Sequence, residues 1–271
     1  MFSRLRVARS LTTKRVLVVG CGAIGSFASL ELARAGVGEI ALLDFDTVQP
    51  GNSLRWPLGR TVWGIGKTSA LANFIASNYP WTIARVAEGR LGTAVTEPVN
   101  IPRHLHNVLT PVFDELRSAD VVVDASASTE VHLALSHYCR RFRVPYVMGY
   151  ATLGVAGGVV ARFLLDSEAC FVCLQEHWKE KLIPEPRVDD AGVVIPAGGN
   201  APTFTGGGFD LQEISLEIVR TVVGLLSKGN HDPGRWDLAV LTLKDGGGAR
   251  MLPHWEGFEC PPHPQCCGAA R

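Results

Sequence analysis

Apolar and polar positions along the chain alternate in blocks that read as short buried strands separated by longer, half-buried helices. A β-branched apolar run at 15–19 meets a glycine turn, Gly20-Cys21-Gly22-Ala23-Ile24-Gly25, and a helical stretch at 26–35 follows. A second apolar run at 39–43 ends at Asp44, and a loop bearing Pro and Gly from 47 to 66 leads to a helix over 67–77. The pattern then yields a strand at 119–123 ending at Asp124, a helix over 129–142 and a strand at 145–148. Strands alternating with helices in this order are βαβ units. The spacing therefore predicts an α/β fold: a Rossmann-like, mostly parallel sheet with helices on both faces.

From Gly149 the texture changes. Gly154, Gly157, Gly158 and the alternating positions at 159–165 predict an antiparallel extension. Asp210 and Glu213 read as a helix start with reciprocal capping, and apolar periodicity continues to Leu226. An alternating strand at 238–243 and the glycines at 246–248 predict a closing hairpin. The chain divides into a basic segment at 1–14 and a single domain at 15–271, whose nucleotide-binding half is 15–150 and second half 151–271.

Composition narrows the function classes. Hydrophobic residues form 46% of the 271, enough for the core of one large domain. Lys+Arg and Asp+Glu both number 26, so no overall field favours nucleic acid or an anionic membrane. The longest apolar runs, such as 16–19 and 121–123, are far short of a membrane span. Arg4, Arg6, Arg9, Lys14 and Arg15 occur without an acid in the first fifteen residues, as in a basic first segment, a linker or a targeting arm. Seven cysteines without the spacing of a secreted disulfide scaffold place the chain in a reducing, cytoplasmic setting.

The glycine turn matches G-x-G-x-x-G between a strand and a helix, the context in which backbone N–H groups meet phosphates at a helix N-terminus. Gly20, Gly22, Ala23, Ile24 and Gly25 are thus candidate nucleotide contacts, and Asp44 is placed to accept ribose hydroxyls. This much fits any Rossmann nucleotide binder, including an NAD-dependent oxidoreductase. The cations that follow favour phosphoryl chemistry. Arg55 offers a bidentate fork and Lys67 a compact charge where an α-phosphate and departing pyrophosphate develop charge. Cys170 and Cys173, with Cys260, Cys266 and Cys267 near the C-terminus, suit a structural zinc that ties the tail to the body. Cys170, Cys173 and Cys266 are the first three ligands. The fourth comes from Cys260, Cys267 or His263, and Cys260 is taken first.

The order Asp44-Phe45-Asp46-Thr47-Val48, Gly51-Asn52-Ser53-Leu54-Arg55 and Gly64-Ile65-Gly66-Lys67 resembles the signature of the ThiF/MoeB/ubiquitin-activating superfamily: D-x-D-x-V, S-N-L-x-R and a Lys opening the next helix. The resemblance runs from Arg15 to the C-terminus. It implies adenylation of the C-terminal carboxylate of a ubiquitin-like protein or peptide by ATP with Mg²⁺. Asp44 would hold ribose beside Asp46, and Asn52, Arg55 and Lys67 would meet phosphates. Asp124 would end the adjoining strand, and a carrier tail would lie at 150–158. It further implies a second half that binds the carrier and dimerises, as homodimer or heterodimer, and a ubiquitin-conjugating-like partner. Cys170-Phe171-Val172-Cys173-Leu174 matches the C-Y-x-C-L of its zinc site.

Two departures stand out. Ala127 replaces the second acid of the family's D-x-x-D-N, which holds Mg²⁺. Gly199 stands where the segment at 196–210 resembles the cysteine-bearing G-C-x-x-P-T-F-T-G of activating enzymes in bacterial antiviral conjugation. The chain therefore reads as an enzyme stopping at the acyl-adenylate, or as a catalytically impaired subunit of a heterodimer.

Overall fold

The computed structural model describes residues 8–89, 91, 103–190, 193–194, 203–227, 229 and 231–267. Gly199, Arg4 and Arg6 lie outside them. Eight strands form one sheet in the order β10-β9-β6-β5-β4-β1-β2-β3. Strands β1 (Arg15–Val19), β2 (Glu39–Leu43), β3 (Ile83–Val86), β4 (Val121–Asp124) and β5 (Tyr146–Ala151) run parallel. Strands β6 (Gly157–Phe163), β9 (Leu238–Lys244) and β10 (Arg250–Phe258) extend the sheet in antiparallel fashion. The short β7 (Val193–Val194) and β8 (Thr203–Phe204) pair separately. The expected α/β architecture, parallel first and antiparallel after, is the observed one.

Burial explains why the parallel strands read as unbroken apolar runs. In β1, Val16 and Val18 pack on one face while Leu17 and Val19 pack on the other, so neither face reaches water. The first face is covered by α1 (Ala8–Leu11), α2 (Ala23–Ala35), α3 (Lys67–Asn78) and α7 (Gly208–Leu226). The second is covered by α4 (Arg103–Ser118), α5 (Thr129–Phe142) and α6 (Phe171–Lys179). Leu11 is fully buried and Lys14 pairs with Asp120 at 2.8 Å, so residues 8–14 pack as part of the domain. At the N-terminal edge of the sheet, Arg15 and Arg85 each contact both Glu39 and Glu115, pinning β1, β2, β3 and α4 together.

Several boundaries differ from the pattern. Helix α2 opens at Ala23, because Gly22 already has extended backbone and ends the turn. Helix α7 opens at Gly208 with Gly207 as its cap and no capping side chain, so Asp210 lies inside the first turn rather than at a capping box. There its charge still favours the helix dipole. Strand β3 and helix α4 occupy a stretch the pattern left unassigned. No helix among the described residues is long and apolar enough to cross a membrane.

Candidate nucleotide site and cysteine centre

The C-terminal ends of β1, β2, β4 and β5 meet at two adjoining hollows that share Ser126. The larger, of about 270 Å³, is lined by Val19, Gly20, Leu43, Leu91 and Val131 among others, an apolar slot that also carries the carboxylates of Asp44, Asp46 and Glu130. The smaller, of about 180 Å³, is lined by Gly22, Ala23, Ile24, Asn52, Arg55, Trp56, Lys67 and Ala127 among others. A base and ribose fit the first in chemistry, and phosphates fit the second.

Why the turn needs glycine is visible in its contacts. Gly20 has φ +84°, and a Cβ there would stand 2.6 Å from the Ser126 backbone; a Cβ on Gly25 would stand 1.9 Å from the Gly20 carbonyl. At Gly22, by contrast, a Cβ would meet nothing within 4 Å. The open space above Gly22 is a cradle for an anion at the start of α2. Helix α3 begins at Lys67, which lines the same hollow, and neither α2 nor α3 has an acid in its first turn. Two helix N-termini therefore add positive potential there.

Each expected side chain has a definite place. Asp44 accepts the Cys21 N–H at 2.7 Å and the Asp46 N–H at 2.8 Å, which sets its carboxylate at the rim with lone pairs left for hydroxyls. Asp46 holds the Lys67 ammonium at 2.7 Å. Asn52 accepts the Gln49 N–H at 2.9 Å and so shapes the short 3₁₀ turn Pro50–Leu54 that delivers Arg55. Burial pulls the Arg55 guanidinium below its ordinary value.

Asp124 is different. It is fully buried, and its carboxylate accepts from the Ser126 N–H at 3.0 Å and the Tyr146 hydroxyl at 2.8 Å. His132 Nδ1 is also 2.8 Å away. It sits beneath the floor, lines neither hollow, and fixes the Ser126 loop from below. The described lining of the smaller hollow contains no carboxylate. The acids present therefore do not compose a magnesium site at the phosphate end.

Sequence reasoning missed Trp56 and Glu130. Trp56 donates its indole N–H to the Cys21 carbonyl at 2.8 Å, and Glu130 lines the larger hollow. Their only sequence signal was proximity to Arg55 and Asp124.

The cysteine centre departs from expectation at one ligand. The Sγ atoms of Cys170, Cys173, Cys266 and Cys267 lie within 4.8 Å of one another. Four thiols so close fit a tetrahedral thiolate metal site in donor chemistry. Burial pushes the Cys173 thiol up, but N–H groups of His263, Cys267 and Cys170 outweigh it and bring the group to about 7. Arg140 donates to Cys267 at 2.8 Å. Cys260, the ligand expected first, stays in the apolar core, where burial pushes its thiol up to about 12. His263 instead lies 3.2 Å from Glu180. The turn in which Cys266 N–H bonds to the His263 carbonyl carries the adjacent Cys266 and Cys267 back onto α6.

The chain matches the ThiF family over residues 2–228. It is 49% identical over 272 residues to the uncharacterized protein y4oA of Sinorhizobium fredii, covering 100% of this chain and 46% of that protein. It is 30% identical over 199 residues to the molybdopterin-synthase adenylyltransferase of Escherichia coli, covering 70% of this chain and 69% of that enzyme. It spans about half the length of the first Sinorhizobium relatives, 46% and 45%. The solved structure of E. coli MccB aligns over 96% of this chain and 68% of its own, with TM-score 0.67 and 18% identity, a likeness of fold. Glycine turn, half-buried Arg55, buried Lys67 and family match agree: the chain belongs to the ThiF family.

Proposed function

We propose that this chain uses ATP to adenylate the C-terminal carboxylate of a carrier protein or peptide, with a ubiquitin-like fold as the first carrier class to test. The observation that carries this reading is the smaller hollow, where Gly22, Arg55, Lys67 and two helix N-termini converge. A dinucleotide oxidoreductase has no use for that density of positive charge beside the glycine turn. Relatives of the chain include adenylyltransferases for molybdopterin synthase and for the sulfur carrier ThiS in E. coli, and MccB has been solved with ATP and with MccA.

In this reading base and ribose occupy the larger hollow, with Asp44 accepting from ribose. The triphosphate crosses Gly22 toward Arg55 and Lys67. The end of β5, at Ala151, borders the same hollow, and the carrier tail would lie near residues 150–158. A carboxylate oxygen of the tail attacks the α-phosphorus, the bond to the bridging oxygen breaks, and pyrophosphate departs. An ionised carboxylate needs no general base. The chain supplies proximity and preorganised positive charge. Asp124 acts at one remove, through the Ser126 loop. The four cysteines would hold zinc as a structural fastener between α6 and the tail, with no part in the chemistry.

None of the seven cysteines lines either hollow, which favours a reaction that stops at the acyl-adenylate. Ala127, in place of an acid, favours the second reading: an impaired subunit whose partner performs the reaction. Calorimetry of ATP and NAD on the full chain and on Lys67→Ala separates these. ATP binding that collapses in the variant supports adenylation. Absent ATP binding selects the impaired subunit, and tight NAD binding defeats both.

A further inference from the structure

We propose that Trp56 is a positioning residue for the triphosphate. Its indole N–H locks the glycine turn to the loop that presents Arg55, and so sets the preference for ATP over nucleotides lacking the outer phosphates. The inference rests on the adenylation reading of this site and adds to it a residue that makes the phosphate clamp rigid.

Trp56 is 5% exposed, a large side chain in the apolar core on the first face of the sheet. Its Nε1 donates to the Cys21 carbonyl at 2.8 Å, while the Cys21 N–H is held by Asp44 at 2.7 Å. The dipeptide on which an anion would rest is therefore clamped from both sides: by the ribose-side carboxylate and by the residue following Arg55. The far side of Arg55 is also constrained. A Cβ on Gly208, at the start of α7, would sit 3.3 Å from the Arg55 Cα, so only a glycine lets the helix start approach it this closely. A second indole, Trp63, donates to Ser53 Oγ at 2.8 Å and steadies the loop two residues upstream.

A long cation gains its worth from being held in place before the phosphate arrives. Without the Trp56 bond the backbone between 54 and 56 loses its tie to the glycine turn at Cys21. The larger hollow, which receives base and ribose, does not include Trp56 in its lining. Loss of the bond should thus spare base and ribose and fall chiefly on the phosphates that reach Arg55.

The test compares ATP and AMP affinities by calorimetry for the full chain, Trp56→Phe, Trp56→Gln, Arg55→Ala and the Trp56→Phe/Arg55→Ala double variant, with thermal melts as a check on folding. Trp56→Phe should weaken ATP about three- to tenfold, the worth of one hydrogen bond, and leave AMP within about twofold. Trp56→Gln, which keeps an N–H donor, should recover part of the ATP preference. In the Arg55→Ala background, Trp56→Phe should cost nothing further, because the two act as one unit. Equal losses for ATP and AMP, equal losses in the Phe and Gln variants, or additive effects with Arg55→Ala would each overturn the proposal while leaving the adenylation reading intact. A full chain that binds no ATP overturns both.

Discussion

The Lys67 ammonium and the Asp46 carboxylate lie 2.7 Å apart, one from each of the two adjoining hollows. Their backbones meet as well, Lys67 N–H donating to the Asp46 carbonyl at 2.9 Å. The loop from 47 to 66 thus starts and finishes at the same point, and Arg55 is carried on a closed lariat. In the adenylation reading proposed above, Asp46 is the anion that Lys67 would exchange for phosphate.

That exchange makes a signed prediction. Asp46 is half exposed, so its pairing is weakened by solvent and contributes about 0–1 kcal/mol. Asp46→Asn removes the competing charge while keeping the shape. ATP should bind a few-fold more tightly, by about the same small free energy, and the melting temperature should change little. Weaker ATP binding in Asp46→Asn would mean that the carboxylate serves the nucleotide directly.

Asp124 gives a prediction about stability. Its buried carboxylate accepts from Tyr146 and Ser126 and lies beside His132, and an amide in its place must turn a donor toward at least one of them. Asp124→Asn should cost about 2 kcal/mol of folding stability with no nucleotide present, read by urea denaturation. An acid that served only a bound metal would show no such loss in the free protein. Any fall in ATP affinity should accompany displacement of the Ser126 loop.

These residues show where the sequence was informative. Local chemistry was legible: the glycine turn, Asp44, Arg55 and Lys67 lie within one contiguous stretch, and the fold brings them to two adjoining hollows. Parallel strands were legible because burial on both faces leaves unbroken apolar runs. What the sequence hid depends on contacts far apart in the chain. The side chain of Asp124 turns inward because Tyr146, twenty-two residues later, offers a hydroxyl from the neighbouring strand. Cys260 and Cys267 are chemically alike, and only the turn at His263 decides which reaches α6. Strand β3 has exposed Ile83 and Val86 on a sheet edge, so its pattern lacks the buried signature of its neighbours.

Ala127 invites the converse experiment, adding an acid. It has φ +54°, a left-handed conformation that costs an alanine about 1 kcal/mol and that Asp tolerates better. Ala127 lines the smaller hollow near Arg55 and Lys67. Ala127→Asp should therefore fold at least as well as the parent. It should bind ATP more weakly without Mg²⁺, through repulsion of the phosphates, and regain or exceed parental affinity when Mg²⁺ is added. An affinity that ignores Mg²⁺ in the variant would show that position 127 does not reach the phosphates.

The cysteine centre can be decided by paired substitutions. Cys267 contributes a thiol to the cluster and takes a bond from Arg140, whereas Cys260 sits in apolar core with its N–H on Asp237. Zinc content per chain, measured by elemental analysis after dialysis, should be about one in the parent, as for a four-thiolate structural site. Cys267→Ser should lower that content and the melting temperature together, since metal affinity and folding are coupled. Cys260→Ala should keep its zinc and lose only packing stability, about 1 kcal/mol for one buried sulfur. Zinc lost from Cys260→Ala but retained by Cys267→Ser would reverse the assignment. Zinc retained by both would place the metal elsewhere.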